Sequence, residues 1–75
     1  MEDYKIRFIN EYNELKIKTG KLENLLKGYK AGTLNFTPTC SYELLNTQLM
    51  IMKSYLAILE ERARLEFVEL GEKVD

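Results

Sequence analysis

Apolar residues recur at alternating spacings of four and three in two long stretches of this chain, and a short charge-free break separates them. The first seam is Phe8, Tyr12, Leu15, Thr19, Leu22, Leu26 and Tyr29; the second is Leu45, Leu49, Met52, Leu56, Leu59 and Ala63. That spacing keeps side chains on one face of an α-helix. The pattern predicts one helix over about residues 2–31, a connector over 32–40 and a second helix over about 41–70. Two long helices on a short link pack as an antiparallel pair. The expected fold is therefore all-α: an antiparallel helical hairpin spanning residues 1–75 as a single domain.

The break carries its own signals. Gly32 suits the residue after a helix end, where the backbone turns left-handed. Pro38 disfavours a helical Thr37. Leu34 and Phe36 are too apolar for a solvated loop and are expected to fold back over the end of the core. Thr39, Cys40 and Ser41 are the N-cap candidates for the second helix, and Glu43 in its first turn suits the helix dipole. Gly20 and Gly28 lie inside the first helix, each costing ~1 kcal/mol against Ala. Gly20 reads as a bend or a close approach, Gly28 as early fraying. Gly71 is the expected stop of the second helix, and residues 72–75 a frayed tail.

A second apolar stripe runs along the second helix: Leu44, Ile51, Tyr55, Ile58 and Leu65. A lone hairpin leaves such a face wet, so these residues are the expected oligomer interface. They point to a homo-dimer or homo-tetramer built as a helical bundle. Met50 and Met52 read as core filling. Gln48, Tyr55 and Arg62 recur every seven residues on one edge of the seam. They read either as flanking groups that bond across helices and fix register, or as a convergent amide, phenol and guanidinium at a subunit boundary.

Several chemistries are excluded by residue type. There is no His and only one Cys, Cys40, so neither a zinc site of the usual kind nor a histidine-based triad can form. No metal or other cofactor is expected, and no enzymatic activity, because no activated nucleophile or base is present. The lone Cys fits a reducing compartment. The acidic start Met1-Glu2-Asp3 does not read as a signal peptide, and no run of ~18 apolar residues exists to cross a membrane. A cytoplasmic location is expected.

Charge is unevenly placed. Residues 16–55, the half nearest the connector, hold Lys16, Lys18, Lys21, Lys27, Lys30 and Lys53 against Glu23 and Glu43, a net +4. The remaining residues hold five bases and ten acids, a net −5. The basic half also carries the hydroxyls and amide of the connector and the start of the second helix, whose free N–H groups attract anions. Tyr29, Phe36 and Tyr42 lie close by in sequence and are able to stack on bases. Together these suit a small anionic ligand with aromatic rings. Duplex nucleic acid is not expected, since the sequence pI is about 5.5 and the acidic half would repel phosphates. The bland account is that Lys27 and Lys30 only complement the helix dipole.

Three stretches resemble a known family. These are Glu11-Tyr12-x-x-Leu15-x-x-Lys18-x-x-Lys21-Leu22, the connector from Tyr29-Lys30-Ala31-Gly32 to Phe36-Thr37-Pro38-Thr39-Cys40, and Glu43-Leu44-Leu45-x-x-Gln48-x-x-x-Met52-x-x-Tyr55-x-x-x-Leu59-x-x-Arg62. They resemble the very short phage and prophage accessory proteins named after crAss-like phage, over about residues 4–70. One position departs: many relatives place Pro after the Cys, where this chain has Ser41.

The resemblance implies a phage accessory protein acting in the host cytoplasm, and not an enzyme. Small phage proteins of this kind often counter host defence, some as oligomeric sponges that sequester cyclic nucleotide immune signals, an anti-CBASS role. On that reading the partner is a cyclic dinucleotide or a related signal. Lys27, Lys30 and Arg62 would bind phosphates, and Tyr29, Tyr42 or Tyr55 would stack on bases. Asn35, Thr37, Thr39 and Gln48 would bond base edges or phosphate oxygens. The alternative is a helical inhibitor or assembly factor that docks a host or phage protein through the second apolar face of the second helix.

Overall fold

The computed structural model describes residues 2–70. Among them there are two helices and no strand: α1, Glu2–Ala31, and α2, Tyr42–Leu65. The helices lie side by side and antiparallel in a rod 45 Å long. Lys53 meets Glu23 near the connector, Tyr12 donates to Glu60 further along, and Tyr4 donates to Glu66 at the far end. The hairpin expected from the two seams is the observed fold.

Both seams face inward. Phe8, Tyr12, Thr19 and Leu26 of α1 and Leu49, Leu59 and Ala63 of α2 are buried. The largest buried cluster, Phe8, Tyr12, Leu59, Ala63 and Val68, sits away from the connector. Thr19 is the one polar side chain buried among the described residues. Its hydroxyl donates to the Leu15 carbonyl at 2.7 Å, the one-turn-back bond that lets a hydroxyl sit inside a helix pair. Met52 is packed inward as expected. Met50 instead is exposed, because its step around α2 carries it away from the seam.

α1 ends in a Schellman turn. Gly32 has φ +74°, the Gly32 N–H donates to the Tyr29 carbonyl, and the Thr33 N–H donates to the Gly28 carbonyl. Those bonds satisfy carbonyls that the helix end would otherwise leave open. Leu34 then folds back onto α1, with its side chain against Gly28. Gly28 is therefore a close-approach site within an unbroken helix and not a point of fraying. Gly20, by contrast, has nothing near the place a Cβ would occupy, so the close approach expected there is absent. Phe36 also departs from expectation. It stays exposed while Leu34 alone covers the end.

α2 starts at a Ser41 cap. Ser41 is extended (φ −69°, ψ 159°) and its Oγ accepts the Leu44 N–H at 3.1 Å, the N-cap arrangement that resolves the three candidates. The helix stops at Leu65, five residues before the expected Leu70. Glu66 caps it, Phe67 takes φ 58°, and the Val68 N–H donates to the Ala63 carbonyl at 2.8 Å. This reversal returns Val68 to the core beside Phe8 and Leu59. Burial of Val68, with Leu70 packed behind it, overrides the helical pattern that the sequence continues past Leu65. The expected stop at Gly71 and the tail at 72–75 lie outside the described residues.

Candidate functional site

The basic end of the hairpin carries an open groove of about 200 Å³ between the helices. Its floor is Leu26 and Leu49, and its rim is Glu23, Lys27 and Lys30 of α1 with Tyr42 and Asn46 of α2. The two lysines reach the rim because residues three apart share a helix face, and Tyr42 and Asn46 share theirs at a spacing of four. The main core cluster lies toward the other end, and at the connector end Leu26 and Leu49 are the buried pair beneath the groove.

The electrostatics of the rim favour an anion. Glu23 would offset the lysines, but its carboxylate is taken by Lys53 at 3.2 Å. Among the described residues neither Lys27 nor Lys30 has an acidic partner. Both side chains are exposed, so their ammonium groups are free to turn toward a ligand. The Tyr42 ring is fixed edge-on to Tyr29, with centroids 5.7 Å apart and planes at 89°. Tyr29 in turn donates its hydroxyl to the Cys40 carbonyl at 3.1 Å. One aromatic pair thus ties the connector to both helices and holds Tyr42 at the groove. The Asn46 amide nitrogen makes only a weak contact with the Met50 sulfur at 3.8 Å, leaving its carbonyl oxygen available to a ligand.

The ten expected ligand residues do not all meet. Lys27, Lys30 and Tyr42 line the groove, and Tyr29 supports it from behind. Asn35, Thr37 and Thr39 lie exposed on the connector and do not line it. Gln48 is exposed on another flank of α2, its amide against the Met52 sulfur.

Tyr55 and Arg62 are farther away. At 1.5 Å per residue they lie about 20 Å and about 30 Å along α2 from Tyr42. Both are also engaged across the hairpin. Tyr55 donates to Glu11 at 2.5 Å, which, with partial desolvation, pushes the phenol pKa up. Arg62 donates to Glu66 at 3.3 Å and to Tyr4 at 2.9 Å, and its guanidinium stacks 4.9 Å over the Phe8 ring. The Glu66 contact, then Tyr4, holds the Arg62 pKa up. Tyr55 and Arg62 therefore act as cross-helix fasteners, one of the two roles their heptad spacing suggested. Within one chain Arg62 cannot share a ligand with Lys27 and Lys30.

Asn46, Glu23, Leu26 and Leu49 belong to the groove although only hydroxyls, amides and charges near the connector pointed to it. Asn46 was legible as the residue one turn past Tyr42. The leucines stand at seam positions, where the helical spacing alone accounts for them.

The sequence matches the family model described as Sequestin over residues 2–65. The chain belongs to the Sequestin family. Comparison with curated proteins finds no match, and neither does comparison with solved structures. The Sequestin match spans both helices and the connector, so it covers every residue of the groove. Among the described residues no helix is long and apolar enough to cross a membrane, and no group of acidic or sulfur side chains is placed to hold a metal.

Proposed function

We propose that this Sequestin family member is a non-catalytic sponge: it binds a small anionic nucleotide signal and withholds it. The observation that carries the reading is the groove, where two unpaired lysines, a fixed tyrosine ring and a free amide oxygen converge over a leucine floor. Lysines supply point charges for phosphate, an aromatic ring stacks on a base, and an amide bonds a base edge. The family name speaks of sequestration, which needs binding and no chemistry. In this reading the ligand is a cyclic nucleotide used in host immune signalling. The protein works in the host cytoplasm as a phage counter-defence factor, and it self-associates through the exposed face of α2.

A thermal-shift screen of the purified protein against linear and cyclic nucleotides tests this, because a ligand of the native state raises its melting temperature. We expect a selective rise with a cyclic nucleotide, loss of that rise in Lys27→Ala/Lys30→Ala and in Tyr42→Ala, and release of the ligand intact on heating. No shift with any nucleotide, or its conversion to product, would sink the reading. The former result would favour a protein partner instead.

A further inference from the structure

Leu44, Ile51, Ile58 and Leu65 stand seven residues apart on α2, and each is more than half exposed. Over those 21 residues the line runs about 31 Å along the helix. It lies roughly a third of a turn from the buried seam, so α1 never covers it. An apolar residue at every seventh position supplies one of the two positions per heptad that a helix-pair seam uses, and Gln48, Tyr55 and Arg62, each four residues on, supply the other. Equal spacing leaves parallel and antiparallel pairings both in register, so other residues must decide between them.

Arg62 and the end charges decide it. Arg62 sits between Ile58 and Leu65 on the same side of α2. A parallel pair would bring Arg62 against its own copy, Glu61 against Glu61, and the +4 end of each hairpin against the other's +4 end. An antiparallel pair, centred between Ser54 and Tyr55, sets Leu44 opposite Leu65 and Ile51 opposite Ile58. It places Arg62 level with Thr47, and Glu61 level with Gln48, so each charge meets a neutral polar side chain instead of its own copy. It also lays the basic end of one hairpin beside the acidic end of the other. Like charges brought together at an interface oppose binding, and opposite ones favour it.

We infer that the exposed face of α2 is covered by a second copy of this chain in a two-fold antiparallel pairing, α2 against α2, with Leu44 meeting Leu65 and Ile51 meeting Ile58 at each boundary. The pairing buries the heptad line of both copies and forms an isologous, closed interface. The groove lies on a different side of α2 from this line, so both grooves of the pair stay open to solvent. This rests on the self-association proposed above and adds its direction and register. It stands whether or not the groove binds a nucleotide.

Cysteine cross-linking reads the direction. In a Cys40→Ser background, Leu44→Cys and Leu65→Cys are each oxidised alone and as an equal mixture. Both sites are surface positions, so the hairpin core is untouched. A disulfide needs α-carbons within about 7 Å, and in the antiparallel pair like positions are about 31 Å apart along the axis. A covalent dimer in the mixture, and in neither variant alone, is the expected result. A covalent dimer of either variant alone means parallel pairing and overturns the inference. No covalent product in any sample also overturns it. Light scattering of the unmodified protein then separates the two failures: a monomer removes self-association altogether, whereas a dimer keeps it and moves it to another face.

Discussion

Leu34 lies so close to Gly28 that a Cβ on the glycine would stand 2.8 Å from the leucine Cδ2. No such neighbour exists at Gly20, so the two glycines make a matched pair inside one helix. Ala at either site gains about 1 kcal/mol of helix propensity. At Gly28 that gain is opposed by displacement of Leu34 from the end of the core. Gly20→Ala is therefore expected to raise stability by about 1 kcal/mol, and Gly28→Ala to fall short of it by about 1 kcal/mol or more. Urea unfolding at one fixed protein concentration checks both. Equal gains would mean that Leu34 does not depend on Gly28.

Phe67 holds a left-handed backbone at φ 58° with its side chain 85% exposed. A residue with a Cβ loses about 1–2 kcal/mol in that conformation relative to glycine. Little burial offsets the loss here. Phe67→Gly is expected to stabilise the hairpin by about 1 kcal/mol. The neighbouring Val68→Ala should cost about 1–3 kcal/mol, because Val68 is buried in the main cluster. Opposite signs at adjacent positions, read by thermal unfolding, identify a turn that spends backbone strain to return one side chain to the core.

Tyr4, Arg62 and Glu66 join the end of α2 to the start of α1. The hydrogen bond from Tyr4, followed by that from Arg62, lowers the Glu66 pKa. A carboxylate depressed in the folded state adds stability above its unfolded value, about 4.3, and loses it as pH falls through the folded value. The same Glu66 contact raises the Tyr4 pKa. That contribution is full below the unfolded phenol value of about 10 and is lost as pH rises through the higher folded value. Tyr4→Phe is expected to flatten both the acid and the alkaline limbs of melting temperature against pH. An unchanged profile would show that the contact carries no stability in solution.

The hairpin was legible because alternating steps of four and three have one meaning when two such runs flank a break. Ser41, Gly32 and Leu34 behave as their local chemistry predicts. The early end of α2 was not legible. Nothing in the run from Glu66 to Leu70 announces that Val68 gains more by turning back than by extending a helix. The site was half legible. Lysines clustered near the connector marked the right end of the rod, and Tyr42 followed from its neighbourhood. Tyr55 and Arg62 do not join them within one chain, because sequence counting carries no axial distance. A heptad that looks convergent in the sequence is spread along a helix: Tyr55 and Arg62 bond Glu11 and Tyr4 on α1, and Gln48 meets Met52 one turn along α2.

Asn46 offers the sharpest test of the groove, since it is polar, half-buried and bound only weakly to Met50. Asn46→Asp keeps size and shape while adding one negative charge beside Lys27 and Lys30. A carboxylate there attracts the lysines and repels a phosphate, the two effects acting in the same direction. At groove distances a unit charge is worth about 1–2 kcal/mol near a protein surface, or roughly a tenfold loss of affinity for an anionic ligand. The added charge joins two unpaired lysines, and the acid on the rim, Glu23, is already paired with Lys53, so the melting temperature of the free protein is expected to hold or rise slightly. Arg62→Ala is the complementary control. It removes a fastener at the far end and should lower the melting temperature of the free protein while leaving the nucleotide dissociation constant unchanged. If Arg62→Ala weakens binding and Asn46→Asp does not, the ligand sits along α2 toward its far end, and the groove is a consequence of loose packing at the connector.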